Sequence, residues 1–101
     1  MDHARRFQTE IVVRHVMDEW KPYAWGSRTA QDVDLAAQAR AVAAELDHIE
    51  TPGDVAAIVA SILSGCYPEC AERFTRYTCT SVGARLFREL HEARLLPSQL
   101  T

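Results

Sequence analysis

The sequence predicts an all-α fold, a compact bundle of four to five helices forming a single domain over residues 1–101. Three observations carry that expectation. Apolar residues recur every three or four positions along most of the chain, which is the period of one helix face. No alternating apolar–polar run is long enough for a strand. The apolar share of 48% excludes wholesale disorder, and 101 residues suffice to bury roughly two thirds of the unfolded chain's surface without a disulfide or metal staple.

The first helix is expected from about Ala4 to Trp20, with Val12, Val13, Val16, Met17 and Trp20 on one broad side. Phe7 and Ile11 fall nearly opposite, among Arg14, His15 and Asp18. One helix with two apolar patches needs two covering surfaces. Either the following stretch "KPYAWGS" folds back over Phe7 and Ile11, or a second copy or a partner protein does. In that stretch Pro22 and Gly26 are expected to break the helix. Tyr23 and Trp25 supply large amphipathic rings, suited either to capping a core or to anchoring an interface.

Thr29 with Asp32 forms an [ST]-x-x-[DE] start signal for the second helix. Leu35, Ala39, Val42, Leu46 and Ile49 then recur at the spacing of a narrow packing seam, flanked by alanines that permit close helix approach. "TPGD" at 51–54 opens a third helix: Thr51 suits the N-cap, Pro52 the first helical position, and Asp54 the positive pole of the dipole. Val55, Ile58, Val59, Ile62 and Leu63 follow with no charge before Glu69, so this helix is expected at the buried centre, ending at Gly65 in a left-handed cap. A further helix is expected from Pro68, with Cys70, Phe74 and Tyr77 facing inward. The last helix, "TSVGARLFRELHEARLL" at 80–96, places Val82, Leu86, Leu90 and Ala93 on one stripe and Ser81, Ala84, Arg85 and Arg88 on the other side.

The net charge is −3, but it is unevenly spread. Residues 1–29 hold five Lys/Arg against four Asp/Glu, residues 30–60 one against six, and residues 61–101 five against four. An acidic middle does not attract a phosphate backbone as a whole; only a local patch does. The amino-terminal "MDHARRFQTE" has charges where a signal peptide carries an apolar core, and no apolar run approaches the ~20 residues that cross a bilayer. The expectation is a cytoplasmic protein, off the membrane, with its three cysteines reduced.

Chemistry-bearing residues are sparse. Cys66, Cys70, Cys79 and His91 are the residue types of a tetrahedral zinc site. However, only one pair is closely spaced and Pro68 interrupts it, so buried core cysteines are the favoured reading and no metal or other cofactor is expected. There is no Gly-rich phosphate loop, nucleophile elbow or HExxH. His15 lies one turn before Glu19, the spacing of a solvated helix pair. The chain does not read as an enzyme.

"ECAERFTRYTCTSVGARLFRELHEARLL", with the helix from Asp54 before it, resembles the helix–turn–helix of bacterial winged-helix regulators over residues 54–96. The resemblance implies a scaffold helix at 69–74 and a recognition helix from Ser81 to Leu96 in the major groove, with Ser81, Arg85 and Arg88 touching phosphates or base edges. The turn "TRYTCT" is longer than in that family, and Gly83 weakens the helix that the resemblance makes the reader of bases.

Two function classes follow. The favoured one is a non-catalytic regulatory or interaction module of the adaptor, antitoxin or inhibitor type. It would bind a protein partner or a second copy through Phe7, Ile11, Tyr23 and Trp25. The alternative is a DNA-binding regulator using Ser81, Arg85 and Arg88.

Overall fold

The computed structural model describes residues 3–29, 35–66, 72 and 74–99, with backbone alone at 21–29, 35 and 66. Four α-helices follow in chain order: α1 His3–Thr29, α2 Leu35–Ala44, α3 Pro52–Cys66 and α4 Thr80–Glu92. Short 3-10 turns lie at Leu46–His48 and Pro97–Gln99, and there is no strand among the described residues. The all-α expectation holds. The radius of gyration, 12.8 Å, is that of a folded domain of this size, about 13 Å.

The helices close as a ring. α1 packs on α2 and on α4, α3 packs most extensively on α4, and α2 meets α3. Val13, Val16 and Met17 of α1, Val42 of α2, Val55, Val59 and Leu63 of α3, and Val82, Leu86 and Leu90 of α4 fill the centre. Each such side chain stabilises the fold by about 1.5–3 kcal/mol when taken fully out of water. At about 1.5 Å per residue, the 27 residues of α1 account for the 42 Å long axis.

That length overturns one expectation. "KPYAWGS" is not a connection: Lys21–Ser27 continues α1, which ends only at Thr29. Pro22 deletes a single i→i−4 hydrogen bond, and the helix continues across that loss. No fold-back over Phe7 and Ile11 occurs; they are 64% and 53% exposed. Thr29 is therefore the last residue of α1, not the cap of α2, and Asp32 lies outside the described residues.

The α2 seam keeps its place in the core while its helix stops short. Ala39, Val42, Leu46 and Ile49 are all buried, but the α-helix ends at Ala44, Leu46 sits in the 3-10 turn and Ile49 is extended at φ −73°, ψ 145°. The start of α3 explains the change. Asp54 Oδ2 accepts the backbone N–H groups of Glu50 at 2.8 Å and Thr51 at 2.9 Å, and Thr51 Oγ1 accepts that of Asp54 at 3.2 Å. This reciprocal cap, with Pro52 at the first helical position, uses the backbone donors that would have carried α2 onward. Those donors pull the Asp54 carboxyl below the ordinary carboxylate range.

One further expectation is corrected around α3. Gly65 does not end it in a left-handed cap: α3 runs on to Cys66, and Gly65 has no positive φ. The wide apolar face of α3 is in the core as expected, with Val55, Val59 and Leu63 buried and Ile58 and Ile62 packed against them, while Ala57, Ser61 and Gly65 are exposed along the outer face.

Phe74–Cys79 is a run of bends and turns instead of helix. Thr75 and Thr78 trade hydrogen bonds: the Thr75 N–H donates to Thr78 Oγ1 at 2.9 Å, and the Thr78 N–H to Thr75 Oγ1 at 3.2 Å. Hydroxyls that satisfy backbone donors locally offer the chain an alternative to helix. Phe74 is buried as expected and meets Trp20 edge-on at 6.4 Å between centroids, but Tyr77, expected inward, is 91% exposed.

α4 begins at Thr80 as predicted and ends at Glu92, before the expected Leu96. Arg94 is left-handed at φ 59°. The N–H of Leu95 donates to the Leu90 carbonyl at 2.8 Å, and that of Arg94 to the His91 carbonyl at 3.0 Å. This is a Schellman ending, with Leu95 and Leu90 both buried as its apolar clasp. Ala93, expected on the inner stripe, is exposed at the cap.

Candidate functional site

Three places on the described surface warrant scrutiny as sites. The first is the outer side of α1. Phe7 and Ile11 stand one turn apart, and both line a groove of about 260 Å³ between α1 and α2. Ala36 and Ala39 contribute small side chains from α2, which is why the groove is open there. Glu10, Arg14 and Arg40 supply its polar atoms. Arg14 and Arg40 are exposed, and neither makes an ion pair with a described residue. Sequence reasoning placed Phe7 and Ile11 together but missed the α2 side of the groove, because no periodicity within one helix reports which neighbour lies beside it. Tyr23 and Trp25 lie on the same helix, farther along; their side chains are outside the described set.

The second place is the α1–α4 seam, where Val16, Glu19, Trp20, Ser81, Val82 and Arg85 line a cleft of about 150 Å³. Arg85 is half-buried and doubly engaged: Nη2 lies 3.1 Å from Glu19 Oε1, and Nε donates to Glu89 Oε2 at 2.7 Å. Glu19 Oε1 also takes His15 Nε2 at 2.7 Å. The Arg85 hydrogen bond leads in holding the Glu19 carboxyl below the ordinary carboxylate range; both carboxylates, Glu19 first, raise the Arg85 guanidinium further above its own. The i,i+4 partner Glu89 was visible in the sequence. Glu19 was not, since it comes from another helix. Of the three residues that the helix–turn–helix resemblance implies, Ser81 and Arg88 are exposed, whereas Arg85 bridges two helices of its own chain.

The third place is the cysteines. Cys79 is fully buried, and burial pushes its thiol up, so it is protonated at neutral pH and a poor nucleophile. His91 is exposed on α4, while Cys66 and Cys70 lie outside the described side chains. Among the described residues no three His, Cys, Asp or Glu converge as a metal site.

Chemically, the α1–α4 seam is an ion-pair network that ties two helices together, and the α1–α2 groove is an open concavity lined by apolar side chains and by two arginines without an ion pair among the described residues. No protein-family model, curated protein or solved structure matches the chain.

Proposed function

We propose that the chain is a non-catalytic binding module that docks another protein on the outer face of α1. One observation carries the reading: Phe7 and Ile11, 64% and 53% exposed, stand side by side at a groove that no described residue of the chain fills. Single exposed apolar residues are ordinary on a protein surface, but adjacent large ones beside a concavity form a contact patch. The same proposal places Tyr23 and Trp25 on the continuing helix as further contacts. No described helix is long and apolar enough to cross a membrane, and the proposal places the module in the cytosol, where its thiols stay reduced.

The test uses Phe7→Asp and Ile11→Asp. Both sites are solvent-facing, so circular dichroism and thermal midpoint should match the parent. Association with whatever co-purifies from the source cell should be lost in both variants. Retention of the same associated proteins by both variants would refute the docking face.

A further inference from the structure

The charges in the α1–α2 groove constrain what lies there. Phe7 to Arg14 spans seven residue steps, about 10 Å or two helical turns. At about 260 Å³ the groove is smaller than the roughly 300–1,000 Å³ of small-molecule sites, and large apolar side chains one turn apart at its edge suit the side-chain ridge of a helix laid across it. Elsewhere on the bundle, arginines beside a packed seam meet carboxylates: Arg6 meets Asp47 at 3.6 Å, and Arg85 meets Glu19 and Glu89. Arg14 and Arg40 meet none among the described residues, and Glu10 is the lone acid between them. Among the described residues the groove thus carries an excess of positive charge, on a chain whose net charge is −3.

We infer that this groove takes an amphipathic helix of another protein whose apolar ridge is flanked by carboxylates, the ridge lying on Phe7 and Ile11 and the carboxylates pairing with Arg14 and Arg40. The inference rests on the docking reading above and adds the chemistry of the partner. A second copy fits less well. A two-fold interface sets a surface against itself, so the excess positive charge would face the same excess across the contact. Nucleic acid would satisfy the arginines but leave Phe7, Ile11 and Glu10 against phosphates.

The experiment uses two labelled synthetic helices of about four turns, with the same leucine ridge at i, i+3, i+4 and i+7, one flanked by Glu and the other by Lys. Each is titrated with the full chain by fluorescence anisotropy. The Glu-flanked helix should bind about tenfold more tightly, a preference that shrinks between ~50 and ~300 mM salt. The double variant Arg14→Glu/Arg40→Glu should reverse the preference, and Phe7→Asp should abolish binding of both helices, each variant first shown to be folded by circular dichroism. Equal binding of the two helices, or a preference unchanged in the double variant, overturns the charge inference and leaves the docking face standing. Binding of neither helix overturns the inference too, and the docking face is then judged by the Phe7→Asp assembly test alone. Self-association of the parent chain that Phe7→Asp abolishes would make a second copy the occupant. Duplex DNA or RNA binding lost in the double variant would make it nucleic acid. Either result overturns the proposal.

Discussion

Gly83 gives the sharpest test of how the bundle is held together, because two effects of known sign oppose each other there. A Cβ added at Gly83 would lie 2.7 Å from the backbone nitrogen of Ala56 and 2.8 Å from its Cα and Cβ. Carbon atoms sit comfortably about 3.5–4.0 Å apart. The obstacle is backbone, so no side chain can rotate away, and α3 and α4 would have to part by roughly 0.7 Å or more. Parting them loosens Val55 and Val59 against Val82 and Leu86, all buried. Overpacking of this kind costs about 1–3 kcal/mol, and a clash with backbone belongs at the upper end. Against it, alanine is a better helix former than glycine by about 1 kcal/mol. Gly83→Ala should therefore destabilise the fold by about 1–2 kcal/mol, lowering the thermal midpoint by roughly 4–15 °C for a domain of this size. Gly65→Ala is the internal control. Gly65 is helical and exposed, with nothing within 4 Å of the added methyl, so there the propensity gain stands alone. That variant should be more stable by about 0.5–1 kcal/mol. Urea and thermal unfolding followed by circular dichroism report both. If Gly83→Ala gains stability as Gly65→Ala does, the close α3–α4 approach is wrong.

Two smaller predictions concern the helix ends. Arg94 holds φ 59° at the Schellman position, where a side chain costs about 1–2 kcal/mol that glycine avoids, less the unfolded-state entropy that glycine adds. Arg94→Gly should raise stability by about 0.5–1 kcal/mol, and a lower urea midpoint would contradict the assigned ending. Asp54 contributes stability through its ionised form, because its folded carboxyl lies below the ordinary range while the unfolded one does not. That contribution is present above the unfolded value and fades as pH falls through the folded one. The parent's advantage over Asp54→Asn should therefore shrink between about pH 5 and about pH 2, and a constant gap across that range would speak against the cap.

The elements that sequence reasoning placed correctly are those whose cause is local. Thr51 and Asp54 cap each other, with the Glu50 N–H as a further donor to Asp54, so a few adjacent residues sufficed to read the helix start. The inner stripe of α4 repeats within one helix, and Val82, Leu86 and Leu90 are buried as their spacing implies. The failures have a different origin. Pro22 and Gly26 carry strong breaking propensities, yet propensity is a weak prior and α1 runs through them. Tyr77 fits an inward helical position by spacing, but the Thr75–Thr78 hydrogen bonds replace that helix with a turn and send the ring outward. Partners across helices left no trace in any local pattern: Glu19 for Arg85, and Ala36, Ala39 and Arg40 beside Phe7 and Ile11.

The same distinction bears on which of the two function classes the chain supports. The basic side of α4 invited comparison with a recognition helix, and its central residue was Arg85. In the folded chain Arg85 lies between Glu19 and Glu89, where its charge is balanced before any ligand arrives, and a phosphate there would have to displace a carboxylate at 2.7 Å. Bundle closure accounts for that arginine. Among the described residues no comparable internal need accounts for Phe7 and Ile11: the core is filled from the opposite side of α1 by Val13, Val16 and Met17, and the segment expected to cover them continues as helix. Full burial of such a side chain is worth about 1.5–3 kcal/mol, and each of the two residues leaves more than half of its surface in water. Two such residues, one turn apart beside Arg14 and Arg40, which meet no carboxylate among the described residues, are the observation on which the proposed docking face rests.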